Sequence, residues 1–343
     1  MERISSLFKG TALGFIMVAV LLTSQLGQNP VVAQNSDELI VYSGRGESLV
    51  DPIIQQFAAA TGINVSVRYG GTSELAATLL EEGNLTPADV FFAQDPGGLG
   101  AVEGLFSELP ESITSLVPEF ARSNENLWVG LSGRARTVVY NTDELTEADL
   151  PDDIFDFIDP EWDGRIGWAP TNASFQTMVT GMRVIWGEEK TREWLEGIQA
   201  NNPIVFPKNT PIVEAAGNGE ISVGFVNHYY LFRFLAEAGE SFPARNYHPR
   251  AGGPGALVMV AGAGVLSSSD NEQTAHQFIN FMLSEVAQAY FANQTFEYPL
   301  VDGVLTNNLL VPLADINRPE INLSDLDDLE GTQNLLREVG ILP

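Results

Sequence analysis

Apolar positions recur in two alternating periods over most of the chain, and the switches between them predict strands and helices in turn. Glu38–Tyr42 is a β-like run, and Ser48–Ala60 places Leu49, Ile53, Ile54 and Phe57 on one helix face. Asn64–Tyr69 alternates as a strand, Ser73–Glu82 reads as a helix, Ala88–Ala93 as a buried strand and Gly98–Phe106 as a short helix. Trp128–Asn141 holds two apolar strand segments around Gly133–Ala135. A second series follows: strand Arg165–Ala169, helices Phe175–Trp186 and Glu188–Ala200, short strand Pro203–Phe206, helix Thr210–Gly217 and strand Ile221–Val226. Ala256–Val265 returns as a long apolar strand, Ala275–Ala292 is an amphipathic helix, and Pro312 to Asp328 is a looped or helical wrap. This is an α/β pattern with a mainly parallel sheet. Two α/β lobes joined by crossing strands imply a cleft, and such clefts bind small ligands.

The N-terminus sets a compartment. Arg3 and Lys9 precede a largely apolar Leu13–Leu26, and Val31-Val32-Ala33 supplies small residues, so residues 1–33 read as a secretory signal cleaved after Ala33. The apolar stretch is short for a membrane span. The remaining chain, about 310 residues, has the length of two domains. Net charge is −28, and losing the signal makes it one unit more negative. That charge argues against nucleic acid and anionic membrane surfaces as partners. The chain has no Cys, which removes disulfides, thiolate ligands and Cys nucleophiles.

Chemistry concentrates in the turns that follow strands. Tyr42-Ser43-Gly44-Arg45-Gly46-Glu47, Gly70-Gly71-Thr72-Ser73, Ala93-Gln94-Asp95-Pro96-Gly97-Gly98 and Ala169-Pro170-Thr171-Asn172-Ala173-Ser174 each lie between a strand and a helix. Such turns offer free backbone N–H groups to anions, although Gly, Ser and Asn also serve as ordinary caps. A fifth turn carries Asn227-His228-Tyr229-Tyr230. The two phenols fall in the first turn of a helix at the carboxyl end of a strand, where open α/β folds place ligands. A trivalent cation with a helix N-terminus can strip phenols of their protons and give two hard anionic oxygens. The other reading of the pair is two aromatics that pack against a core.

These segments carry a resemblance. Tyr42-Ser43-Gly44-Arg45, Pro87-Ala88-Asp89-Val90-Phe91-Phe92-Ala93-Gln94-Asp95, Val139-Tyr140-Asn141-Thr142, Ala169–Phe175, Lys208-Asn209 and Asn227–Tyr230 occur in one order over nearly all of residues 37–310. In this the chain resembles the periplasmic ferric-ion-binding proteins of bacterial ABC importers, within the transferrin-like solute receptors. The resemblance implies a two-lobed periplasmic-binding-protein-like fold of type II. It puts residues 37–138 plus about 260–310 in one lobe and 139–259 plus about 311–343 in the other. It implies Tyr229 and Tyr230 as tyrosinate ligands of Fe(III), and Asn172, Ala173, Ser174, Asn209 and Asn227 as contacts of a synergistic carbonate or phosphate.

The chain departs from the family pattern at three places. Arg45 stands where many members have a His ligand, Gln94 (with Asp95 next) where many have a Glu, and Phe175 where some bring a third Tyr. Arg45 cannot ligate a cation but can hold the anion; its other reading is a surface ion pair with Glu47. Gln94 is expected to accept or donate at the rim, and Asp95 next to it is expected as a further metal or anion contact. The expected function is a non-enzymatic, monomeric, extracytoplasmic receptor that hands ferric ion to a permease in the cytoplasmic membrane. A receptor for a small anionic solute anchored by Arg45 is the alternative. A hydrolase has no support, because G-x-S-x-G and H-E-x-x-H are both absent.

Overall fold

In the computed structural model, residues 38–343 are described, so the expected signal over 1–33 lies outside the described residues. The first strand, β1 (Glu38–Ser43), pairs in parallel with β2 (Asn64–Tyr69) on one side and β3 (Val90–Ala93) on the other. β4 (Val129–Asn141), β5 (Ile166–Trp168), β6 (Ile204–Val205), β7 (Val223–Asn227), β8 (Ala244–Tyr247) and β9 (Val258–Val265) complete a nine-stranded sheet. Its order is β2-β1-β3-β9-β4-β7-β5-β6, with β8 also on β4.

The sheet is mixed, not mainly parallel. β9 runs antiparallel to both β3 and β4, and β4 runs antiparallel to β7 and β8. The reason is that the chain crosses from one half of the molecule to the other and returns. β4 is also one strand rather than two segments. Val129–Ala135 pairs with β9, and Arg136–Asn141 pairs with β7 and β8, so the same backbone serves two halves.

Helices cover these strands: α1 (Glu47–Thr61), α2 (Thr72–Glu82), α3 (Pro96–Gly100), α4 (Glu111–Thr114), α5 (Ala173–Trp186), α6 (Glu188–Ala200), α7 (Asn209–Gly217), α8 (Tyr230–Ala238), α9 (Glu272–Met282), α10 (Glu285–Gln294) and α11 (Leu329–Glu338). The single helix expected over Ala275–Ala292 is two. Ser284 accepts a hydrogen bond from the Ala287 N–H and starts a new helix, as a serine cap does.

One apolar core gathers Val41, Phe57, Phe91, Trp128, Val260 and Phe278, with Leu323 and Leu326 of the tail. Another gathers Val138, Trp162, Phe175, Trp194 and Phe225, with Leu335 and Leu336 of α11. The tail therefore lays apolar side chains into both.

β7 delivers Asn227 and the tyrosines, and its placement depends on Gly224. A Cβ there would come within 2.2 Å of the Ile212 Cγ2 on α7. We predict that Gly224→Ala destabilises the fold by about 1–3 kcal/mol through overpacking. A thermal melt checks this, and an unchanged midpoint would mean that α7 yields freely.

Candidate metal and anion site

Asn227 closes β7, and Tyr229 precedes the first residue of α8, Tyr230. The two phenol rings stack with centroids 4.2 Å apart at 30°. Tyr229 is buried at 1 % exposure, and Tyr230 faces a cleft of about 520 Å³. Gly44, Gly71, Gln94, Asn172, Lys208 and Arg233 also line that cleft, so the first four strand–helix turns and the tyrosine turn converge on it. Burial and the Tyr229 hydroxyl push the Tyr230 phenol above its ordinary range, while Arg45 and Arg134 pull against that shift.

Arg45 is not on the surface and does not pair with Glu47. It is 1 % exposed, pairs with Glu297, and donates from Nη1 to the Tyr229 hydroxyl at 3.4 Å. Burial lowers the Arg45 pKa, but Glu297 and the tyrosines outweigh it and the net shift is upward.

Beneath the tyrosines β4 presents two further guanidinium groups. Arg134 and Arg136 lie two residues apart, hence on one face of the strand, and both are buried. Arg136 sits opposite Asn227 in the ladder and donates from Nη1 to its Oδ1 at 3.0 Å. Burial and the neighbouring Arg134 bring Arg136 down to about 9, so it stays charged at neutral pH.

Ser174, in the first turn of α5, is the meeting point. Its hydroxyl receives Gln94 Nε2 at 2.6 Å, Arg134 Nη1 at 3.1 Å and Asn227 Nδ2 at 3.2 Å. Three donors compete for two lone pairs. Arg134 Nε and Arg136 Nη2 are buried without any partner. Asp95 Oδ2 is likewise buried without a partner, but around Ser174 itself donors outnumber lone pairs, which suits an anion.

Asn172 caps α5 by accepting from the Ser174 N–H at 3.1 Å, and it also accepts from Asn209 Nδ2 at 3.3 Å. Ala173 opens the helix beside it and lines the cleft. Asn172, Ala173, Ser174, Asn209 and Asn227 are thus brought together, with Gln94 at their edge. Asp95 is not among the residues that line the cleft. It is buried and caps α3, accepting from the Gly98 N–H and from the Thr177 hydroxyl on α5 at 2.8 Å. Burial raises its pKa against the pull of Arg134, those two bonds and Arg45. His228, between Asn227 and Tyr229, is occupied by backbone. Its Nδ1 accepts from the Ala135 N–H and its Nε2 bonds the Phe296 carbonyl.

No group of three or more His, Cys, Asp or Glu capable of holding a metal occurs among the described residues. The stacked phenols of Tyr229 and Tyr230 offer oxygen donors of the kind that suits a hard trivalent ion. Arg134, Arg136 and Glu297 were not singled out from the sequence. The signal available was an Arg-x-Arg step inside an otherwise apolar strand, since charges are rarely fully buried without a purpose.

The fold and cleft are those of a receptor that encloses a small solute between two α/β halves. The chain belongs to the bacterial extracellular solute-binding protein family, whose model matches residues 52–313. Within it, the similarity runs to ferric-ion proteins. The chain is 32% identical over 330 residues to the Fe(3+)-binding periplasmic protein of Serratia marcescens, covering 95% of this chain and 97% of that one. The crystal structure of iron-bound HitA from Pseudomonas aeruginosa superimposes with a TM-score of 0.84 at 34% identity, covering 88% of this chain and 99% of that one. A Trichodesmium protein (IdiA, FutA) in complex with iron and citrate gives a TM-score of 0.76 at 26% identity, with 88% and 99% covered. The fold is the type II periplasmic-binding-protein fold of these neighbours.

Proposed function

We propose that this protein is the extracytoplasmic receptor of an ABC iron importer and binds ferric ion through the Tyr229 and Tyr230 oxygens. The observation that carries the reading is the stacked tyrosine pair at the mouth of α8, set above a cluster that has more donors than acceptors. A carbonate or phosphate dianion held by Ser174, Asn172, Asn209, Asn227, the Ala173 backbone and Arg134 would complete an oxygen coordination sphere. Relatives named for ferric ion, one of them structurally characterised with iron and citrate, support the same cargo. The protein performs no chemistry on the ion and passes it to a membrane permease as a monomer.

Residues 37–138 with about 260–310 form one lobe in this reading, and 139–259 with about 311–343 the other. Iron favours the closed arrangement because its contacts come from both, which is a shift of population between two states. Arg45 acts on the phenol through Nη1 and on Glu297 through Nη2, and its buried Nε, which has no partner, is left to face an anion. Asp95 tethers α3 to α5 through one carboxylate oxygen.

Metal analysis and a visible spectrum before and after chelation test the assignment, because Fe(III)–phenolate complexes are coloured. A protein that carries no iron and takes none up would refute it. The basic groups at the cleft, Lys208 and Arg233 with Arg134 and Arg136 below, favour one second reading, a small anionic solute without metal. Calorimetry with citrate and phosphate in the absence of iron separates the two.

For the anion, we predict that Arg134→Met lowers ferric affinity by about ten- to a hundredfold in carbonate or phosphate buffer. This follows from the worth of a charge-assisted hydrogen bond, about 1.5–3 kcal/mol. In a buffer without either anion the difference from the parent should shrink. An equal loss in all buffers would place Arg134 outside the anion site.

A further inference from the structure

Glu297 belongs to none of the turns that line the cleft, yet its carboxylate is wholly buried and engaged through both oxygens. One oxygen pairs with Arg45 and the other accepts from the Ser132 hydroxyl. Every other ion pair among the described residues has both partners partly exposed. The backbone around Glu297 is fixed with unusual care. Phe296 holds a left-handed conformation at φ 55°, which a bulky residue adopts only when its surroundings enforce it. Its carbonyl bonds His228, the Glu297 N–H donates to the Phe291 carbonyl at 2.9 Å, and Tyr298 exchanges two backbone bonds with Gly133. The carboxylate is thereby anchored to β4 and to the residue preceding Tyr229.

Buried ion pairs seldom add stability, because removing two charges from water costs about as much as their attraction returns. Another reason for this pair lies on the far side of Arg45, whose Nη1 reaches the Tyr229 hydroxyl. A lone guanidinium there would favour a phenolate but repel the trivalent ion that the phenolate binds. Closed by a carboxylate, it becomes a dipole. Its N–H still reaches the Tyr229 oxygen, while its net charge is cancelled a short distance away.

We infer that Glu297 is a positioning residue of the iron site, holding Arg45 against the Tyr229 oxygen while cancelling the charge of that guanidinium beside the cargo. The inference rests on Tyr229 being a ferric ligand.

The test uses Glu297→Gln, the double variant Arg45→Met/Glu297→Gln, and Ser132→Ala. Each is loaded from ferric nitrilotriacetate and read by competition affinity, by the position of the visible phenolate band, and by the melting temperature of the iron-free protein. Glu297→Gln should lose at least about tenfold in affinity, because a buried charge is left unpaired, and its band should move. The double variant should recover most of that affinity while its band stays displaced, since Tyr229 has lost its donor. Ser132→Ala should move the band in the same direction as Glu297→Gln, by less. If Glu297→Gln does not fold, the double variant and Ser132→Ala carry the test with the same expected results. A coloured parent whose variants change only in melting temperature, with band and affinity unmoved, would make the pair structural and overturn the inference. A colourless iron complex of the parent would overturn the tyrosinate reading, and this inference with it.

Discussion

Tyr229→Phe and Tyr230→Phe should each fold, and each should lose about three orders of magnitude in ferric affinity together with most of the visible band. The two effects separate because of what the hydroxyl does. In the iron-free protein the Tyr229 hydroxyl accepts one bond, from Arg45, and losing such a bond costs about 1 kcal/mol of stability. Toward iron the same oxygen is a charged ligand, and its loss at roughly 4 kcal/mol corresponds to about a thousandfold. Neighbours cannot replace it. No group of three or more His, Cys, Asp or Glu capable of holding a metal occurs among the described residues, and Phe175 is buried in an apolar core. Competition titration against a chelator checks the size of the effect. Full affinity in both variants would remove the metal from this cleft.

Acid should release the ion well before it unfolds the protein. A phenol that becomes a ligand gives up its proton, and phenols ordinarily titrate near pH 10. Tyr230 is raised further by burial and by Tyr229. A raised phenol pKa favours the protonated form, so protons compete with iron at every pH below it. With two phenols displaced, affinity should fall by about a hundredfold for each pH unit lost. The iron-free fold responds over a different window. His228 is brought from 6.5 to about 3 by burial and by His248, and His248 to about 4 by burial. A base whose folded pKa is depressed contributes stability above its unfolded pKa and loses it as pH falls toward the folded value. Stability should therefore decline only below about pH 6.5, while iron affinity is already falling above neutrality. Proton release measured on loading, beside melts across the same range, tests both slopes. Affinity that stays flat until unfolding would contradict a phenolate site.

The alternation of strand and helix patterns was legible because each element buries a distinct face. Asn64–Tyr69 and Glu188–Ala200 match the structure residue for residue. Strand direction was not legible. Apolar runs such as Ala256–Val265 look alike whether parallel or antiparallel, and only the pairing of β9 with β3 and β4 reveals the mixed sheet. β8 escaped notice because Ala244–Tyr247 is short and half polar. At the site, the tyrosines and the residues around Asn172 and Ser174 stood out because turn chemistry is local. For Arg45, the alternative of a pair with Glu47 gives way to a pair with Glu297. Glu297 is 252 positions away in the chain, and no spacing rule links residues so far apart.

Among the described residues, β4 is the one segment that pairs with β9 at one end and with both β7 and β8 at the other. Arg134 and Arg136 straddle the point at which its partners change. Reorientation of the two halves would twist this hydrogen-bonded ribbon, spreading the change over several of its dihedral angles. Because the guanidinium groups ride on that ribbon, twisting it turns them with respect to Ser174. Under the proposed closure, movement of the body and the electrostatic lining of the cleft would be geared together, so that a receptor caught half open would present a different charge pattern from one fully shut.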